Sequence, residues 1–509
     1  MTRWVLSFAS MLFAAAALAA GNSLPDLIQQ GKRAEALAAI AAGADVNAPQ
    51  GDGTTPLHWA VYKVDADLVA TLLKRGAKAD VVNKYGSSPL AEAVKIGNAA
   101  LVKALLDAGA STDSPNQDGE TALMLAARVG STDVAKLLVD HGANVNAVES
   151  WKNQTALMWA ADSNSPEIVQ LLIAHGADVN TRSVANDWDA QITSEPRAQY
   201  RPTGGFTPLI FAARSGCTRC VRAILDAGAD IDRPNPDAIT PLMFAIDNLR
   251  FDTARLLLDQ GANPHHQDWY GRTALYVAVD MSSYNRRGPQ TEGGGETSAH
   301  DVIRMLLEKG VNPNSQLNFH RPGRGGNSGR FADDLLTTGC TPLIRAAIGQ
   351  DVESIKLLLE HGALVDLPNV MGVTPLMAAT GVGVGGLGRR PGGEGGGDPQ
   401  ARVMATLDVL LAAGADVNAK ITDIASRSAR IARASQMTDR GGQTALYGAV
   451  KSGWARVVQY LIAHGARVDI KDDLGKTPVD AALGKVGGRD NVVSQEIADI
   501  LKNASKTRG

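Results

Sequence analysis

Residues 53–61 read GTTPLHWAV, and close variants return as GETALMLAA (119–127), GFTPLIFAA (205–213), GCTPLIRAA (339–347) and GKTPVDAAL (475–483). Thr is a strong helix N-cap and Pro fits the first helical position, so each phrase opens a short helix. The capping Thr or Ser falls at Thr55, Ser88, Thr121, Thr155, Thr207, Thr240, Thr273, Thr341, Thr374, Thr444 and Thr477. Five residues later all eleven phrases carry Ala, from Ala60 to Ala482. A small side chain at one fixed site lets neighbouring helices approach closely when the phrases stack.

Each phrase leads into a second apolar helix, such as VVQYLIAHG (457–465). That helix ends in Gly at a position suited to a left-handed C-terminal cap, as at Gly76, Gly109, Gly142 and Gly176. Successive capping residues lie 33, 33, 34, 52, 33, 33, 68, 33, 70 and 33 apart. A 33-residue period carrying Thr-Pro-Leu-His-x-Ala resembles the ankyrin repeat, over nearly the whole chain after an N-terminal apolar segment. The resemblance implies an all-α fold, an ankyrin-repeat solenoid of about twelve helix-turn-helix repeats joined by hairpin-like fingers. It also implies a non-catalytic scaffold that binds another protein through its fingers and concave face. About twelve repeats of this length leave no room for a separate catalytic domain.

The N-terminus, MTRWVLSFASMLFAAAALAAGN, has Arg3, an apolar run from Trp4 to Ala20, and Ala17 and Ala19 in an A-x-A pattern. This is the composition of a cleaved secretory signal, and it points to exported bacterial ankyrin-repeat proteins, in the periplasm first and secreted as the alternative. The organisation expected is a signal peptide at 1–20, a capping repeat at 21–52 that lacks Thr-Pro-Leu, and repeats at 53–180. A finger insertion at 181–204 follows, then repeats at 205–314 with a helix-helix insertion near 282–297. A second finger insertion occupies 315–338, then repeats at 339–418 with a Gly-rich insertion near 381–400. A basic finger insertion at 419–440, C-terminal repeats and cap at 441–502 and a tail at 503–509 complete the chain.

Gly to the next capping Thr or Ser is normally 12 residues, but 31, 31 and 30 at the three finger insertions. Aromatic residues are only 5% of the chain, yet they gather with Arg at these loops and at nearby fingers. The candidate partner-binding residues are therefore Trp151, Trp188, Arg197, Tyr200, Arg201, Phe206, Trp269, Tyr270, Phe319, His320, Arg321, Arg324, Arg330 and Phe331. Removing the 181–204 and 315–338 loops is expected to abolish partner capture and leave the fold intact. The third insertion places Arg427, Arg430 and Arg433 three apart. That row can serve a lipid-associated structural role through 420–440, or be only the solvated face of a helix.

A net charge of −3 gives no general pull toward nucleic acid or anionic membrane. The chain is expected to be monomeric and to need no cofactor or metal. GVGVGGLG (381–388) matches G-x-G-x-x-G, but it follows the first helix of a repeat and lacks the strand and acidic residue of a dinucleotide site. His141, His175, His361 and His464 each precede the Gly that ends a second helix, which makes them helix caps. His265 and His266 are adjacent, without ligand-spaced Cys or carboxylates nearby.

The three cysteines include GCTRC, Cys217 and Cys220, which read as a redox centre, half of a metal site, or two filled repeat positions. Other repeats place Asp65, Asn98 or Ser131 where Cys217 stands, and Leu68, Leu101 or Val134 where Cys220 stands. The register favours the structural reading, with a local disulfide between them left open. An envelope redox or metal-binding protein using this pair remains the alternative.

Overall fold

The computed structural model of the chain describes residues 23–186, 203–285, 295–318, 338–382, 398–422, 441–486 and 492–506. Among these residues twenty-four helices fall into twelve antiparallel pairs, from Leu24–Gln29 with Arg33–Ala41 to Pro478–Ala482 with Gln495–Lys506. The two-residue strands Ala185–Asn186 and Thr203–Gly204 are hydrogen-bonded to one another. Two compact units divide the chain, 1–185 with 204–230 and 186–203 with 231–509, and each holds six of the helix pairs.

Each repeated phrase folds as its residues dictate. In the helix Pro208–Ser215 the Thr207 hydroxyl accepts the Ile210 N–H at 3.3 Å, and the same cap recurs at Thr121, Thr155, Thr240 and Thr341. Losing one such cap costs about 1 kcal/mol. The eleven Ala residues five positions on are all 0% exposed, so the small side chain marks where first helices meet. The first repeat has its own opening helix: Ser23 caps Leu24–Gln29 in a capping box with Asp26, and Pro25 stands in the first turn. Without Thr-Pro-Leu that helix was hidden from the sequence pattern.

Second helices end at glycines held in the left-handed region, and a Cβ added at Gly76 would meet nothing within 4 Å. Glycine is therefore required there for its backbone conformation, not for space. Between the two helices, Gly97, Gly130, Gly216 and Gly453 also have positive φ. Val64, Asn164, Leu249 and Gln350 take the same conformation at that site in other repeats.

Asparagines in the A-D-V-N turn hold neighbouring repeats together. Asn146 donates from Nδ2 to the Gly176 carbonyl at 2.9 Å and accepts the Asp178 N–H at 2.9 Å. Asn47, Asn314 and Asn418 make the same pair of bonds to the repeats that follow them. In six fingers an Asn or Asp five residues before the cap (Asn83, Asn116, Asn235, Asp268, Asn369 and Asp472) accepts two backbone N–H groups, as Asn83 does from Tyr85 and Ser87 at 3.0 Å. Successive fingers are then joined by one backbone bond, such as Lys84 N–H to the Asp52 carbonyl at 2.8 Å.

The three finger insertions leave this register undisturbed. Backbone bonds close their bases at Ser183 to Phe206, Leu317 to Cys340, and Ile421 to Gln443. The inserted residues 187–202, 319–337 and 423–440 lie outside the described residues, as do 286–294 and 383–397. The first helix of the eighth repeat, Ala274–Asn285, runs to residue 285, past the expected start of the helix-helix insertion near 282.

Candidate interaction surface

Side chains that project from the first helices are set by two register positions, four and seven residues after the capping Thr or Ser. In the N-terminal unit these positions hold Trp59 with Tyr62, Glu92 with Lys95, Leu125 with Arg128, Trp159 with Asp162, and Phe211 with Arg214. Trp59 and Tyr62 meet edge to face at 5.6 Å, and the Trp59 indole N–H donates to Gln50 Oε1 at 2.8 Å. The Arg128 guanidinium lies 5.0 Å over the Trp159 ring of the next repeat. Asp162 of that repeat pairs with Arg214 of the following one at 2.7 Å, and Arg214 lies 5.0 Å over Phe211. Each cation–ring contact at the surface contributes about 0.5–1 kcal/mol, enough to hold the guanidinium flat and its edge toward solvent.

The fingers add Tyr85 and Trp151, each 74% exposed, and Lys152 stands 4.2 Å over the Trp151 ring. Among the described residues nine of the thirteen exposed large hydrophobic side chains belong to the N-terminal unit. Isolated exposed apolar residues are ordinary on protein surfaces, but concentration on one region marks an interaction site.

At the two register positions of the first helices Leu125 and Phe211 of the N-terminal unit are buried, and in the C-terminal unit Phe244, Arg345 and Lys451 are half-buried while several others are closed off. Val277, Ala378 and Ala481 are buried, and Gly448 lies so close to the preceding first helix that a Cβ would stand 2.6 Å from Val382 Cγ2. Charges there are consumed inside the unit: Arg345 pairs with buried Asp280 at 2.5 Å, and buried Arg272 pairs with Asp268 at 2.6 Å. Asp351, fully buried, caps the helix Val352–Glu360. It also accepts hydrogen bonds from the Ser282 and Ser354 hydroxyls, and His300 Nε2 stands 3.1 Å from it. Burial alone would raise the Asp351 carboxyl, but the bonds and charge of His300 and the two serine bonds hold it well below the usual carboxylate range.

This Ser, His and Asp grouping was not legible in the sequence, since Ser282 and Asp351 are 69 residues apart. Both serine hydroxyls donate to the carboxylate and not to the imidazole, so the bond between base and nucleophile that acyl transfer requires is not formed. It is a capping network.

Of the sequence candidates, Trp151 is exposed at a finger tip and Trp269 stands exposed on another finger. Phe206 is half-buried, edge-on to Phe211 at 5.7 Å and under Arg214, and half-buried Tyr270 lies 5.8 Å from the Arg272 guanidinium. Trp188, Arg197, Tyr200, Arg201, Phe319, His320, Arg321, Arg324, Arg330 and Phe331 lie outside the described residues, as do Arg427, Arg430 and Arg433. Trp59, Tyr62, Tyr85, Arg128 and Trp159 lie in regular repeats, outside the irregular loops to which the spacing of the sequence points. The signal was in the repeat itself, as bulky residues at a register position filled by small ones elsewhere.

Cys217 and Cys220 are disulfide-bonded, with their Cα atoms 5.2 Å apart and side chains 2% and 0% exposed. Cys217 sits at the N-cap of Thr218–Asp226. Cys340 is buried and takes no part in a disulfide; the Tyr276 hydroxyl lies 3.7 Å from its Sγ. The four recurrent histidines cap carbonyls four residues back, as His141 Nδ1 does to Leu137 at 2.7 Å. His58 bridges Thr55 at 2.8 Å and the Ser87 carbonyl at 3.0 Å, and burial pushes its pKa down, so Nε2 carries the proton that Ser87 accepts. Among the described residues no group of three His, Cys, Asp or Glu side chains is placed to hold a metal ion. No described helix is long and apolar enough to cross a membrane.

Stacked helix pairs bridged by fingers, with a row of exposed aromatic and cationic side chains, define a repeat scaffold of the interaction class. The family model "Ankyrin repeats (3 copies)" matches residues 26–116, 90–183 and 209–317, and "Ankyrin repeat" matches 338–370 and 441–473. The chain belongs to the ankyrin-repeat family. It is similar to the mouse B-cell lymphoma 3 protein homolog, 32% identical over 205 residues that cover 35% of this chain and 42% of that protein. Human ankyrin repeat and SOCS box protein 16 is 30% identical over 277 residues, covering 50% of this chain and 49% of that one. The phosphocholine transferase AnkX of Legionella pneumophila is 27% identical over 165 residues, 32% of this chain and 14% of that one. The chain thus spans less than half the length of these relatives. Among solved structures the human ASB11 ankyrin repeat domain matches with a TM-score of 0.40 and 23% identity, covering 55% of this chain and 99% of that one.

Proposed function

We propose that the chain is a non-catalytic scaffold that binds another protein through the fingers and first helices of its N-terminal unit. The observation that carries this reading is the concentration there of the exposed aromatic side chains Tyr62, Tyr85 and Trp151, two of them with a cation over the ring. Aromatic and Arg side chains together are the usual anchors of protein interfaces. The relatives fit, since ankyrin repeats generally mediate binding to other proteins. One relative carries a transferase name, but it matches this chain over only 14% of its own length.

The place of action is proposed to be outside the cytoplasm. The apolar N-terminal run from Trp4 to Ala20 supports this, and so does a disulfide, which persists in oxidising compartments. A redox role for that disulfide is the weaker reading, because both sulfurs are buried and reactive cysteines need access.

Affinity capture from a native envelope extract with three baits tests the binding reading. The baits are the wild-type chain, a Tyr62→Ala/Tyr85→Ala/Trp151→Ala variant, and a control with Asp67, Lys103 and Asp140 of the second-helix face changed to alanine. The wild type and the control should recover the same partner, and the first variant should lose it. Equal recovery by all three would place binding elsewhere.

A further inference from the structure

Three residues after the capping Thr or Ser, six repeats carry Met or Ile and three carry a ring, His58, Tyr276 and Tyr447; all nine side chains are buried. The rings show what this position reaches. His58 Nε2 donates to the Ser87 carbonyl at 3.0 Å. The Tyr447 hydroxyl lies 2.6 Å from the Lys476 carbonyl and 2.8 Å from the Ile470 carbonyl. Ser87 and Lys476 each stand just before the cap of the next repeat.

The third repeat places Ala91 here, and Ala91 is only half-buried. A pocket of about 50 Å³ opens beside it, lined by Ala91, Ala122 and Leu125 and by Ser87, Ser114 and Glu120. That is room for roughly four waters, or for the head of one side chain. Exposed Tyr85 also lines it, so the pocket belongs to the finger surface assigned above to a partner.

In register, Ser114 and Glu120 correspond to Ile470 and Lys476. The Lys476 carbonyl accepts the Asp472 N–H at 2.8 Å as well as the Tyr447 hydroxyl, and the Ser87 carbonyl accepts the Asn83 N–H at 3.0 Å as well as His58. The Glu120 carbonyl accepts the Asn116 N–H at 3.1 Å and no second donor among the described residues. Polar side chains around the pocket are engaged within the protein: Ser87 and Lys95 donate to Glu92, Ser114 to Asp80, and Asn116 to the Glu120 carboxylate. The pocket therefore offers a carbonyl acceptor above an apolar floor, which suits a donor carried on an apolar ring.

We propose that this pocket receives a tyrosine side chain of the bound protein. Its hydroxyl donates to the Glu120 carbonyl as Tyr447 does to Lys476, and its ring rests on Ala91 and Leu125. This rests on the protein-binding reading above and names one anchor of the partner; tyrosines seated in pockets are common anchors of interfaces.

The probes are p-cresol, which is the tyrosine side chain alone, toluene, which lacks the hydroxyl, and butylamine, which matches a lysine side chain. Saturation-transfer NMR with the full chain should show saturable binding of p-cresol and little of the others. Ala91→Met and Ala91→Ile restore residues that other repeats carry, so each should lose p-cresol and melt no lower than wild type, because a void is filled. Ala91→Ser, which keeps the pocket open, should retain p-cresol. In affinity capture the two filled variants should lose the partner and Ala91→Ser should keep it.

Absence of saturable p-cresol binding would overturn the proposal. So would toluene or butylamine binding as tightly as p-cresol, or undiminished p-cresol binding by both filled variants. If the filled variants still capture a partner that the Tyr62, Tyr85 and Trp151 variant loses, this assignment fails and the protein-binding reading stands.

Discussion

Four residues after the capping Thr or Ser, the N-terminal unit places Trp59, Glu92, Leu125, Trp159 and Phe211, and the C-terminal unit places Phe244, Val277, Arg345, Ala378, Gly448 and Ala481. The backbone is the same in both; the use of the position is not. In the first unit Trp59, Glu92 and Trp159 reach solvent, and the Arg128 guanidinium backs Trp159. In the second Phe244 is half-buried and the other five are small, buried or paired internally, with Arg345 on Asp280 and, nearby, His300 on Asp351. A repeat fixes where a side chain projects, and the residue chosen decides whether that projection serves a partner or the fold.

Substitutions should separate these uses by magnitude. Asp351→Ala removes the acceptor for Ser282 and Ser354 and the charge facing His300, and should destabilise the chain by about 3–5 kcal/mol in urea denaturation. Because the folded carboxyl is held below its unfolded value of about 4, its stabilisation is full above that pH and is lost as pH falls further. The Asp351→Ala variant should therefore lose less stability than wild type on acidification below about pH 4. Gly448→Ala should cost about 1–3 kcal/mol, since the new methyl would stand 2.6 Å from Val382 and 2.7 Å from the Thr380 carbonyl. Asn146→Ala, which opens two inter-repeat hydrogen bonds, should cost about 1–2 kcal/mol by the same assay.

The smallest effect is expected where the binding reading needs it. Tyr85→Ala and Trp151→Ala should each change stability by no more than about 0.5 kcal/mol in thermal melting. A loss as large as that of Gly448→Ala would mean that these rings serve the fold, and the contrast between the units would collapse.

The repeat register was legible because capping Thr, buried Ala and left-handed Gly are each demanded by local physics. That physics also exposed Cys220 as an aliphatic position and the histidines as caps. The Leu24–Gln29 helix escaped because Ser23, Pro25 and Asp26 cap it with different residues. The Asp351 network escaped because its members meet only when the eighth and ninth repeats stack. The aromatic row of the N-terminal unit lay in plain register, yet its meaning depends on exposure, which one-dimensional spacing does not carry.

The most direct test places a photo-crosslinking phenylalanine analogue at Tyr62, Tyr85 or Trp151, and in separate chains at the second-helix positions Asp67, Lys103 or Asp140. In native envelope extract the first three should yield one common cross-linked protein and the second three should not. Cross-links to that protein from the second-helix positions, and none from the fingers and first helices, would contradict the account.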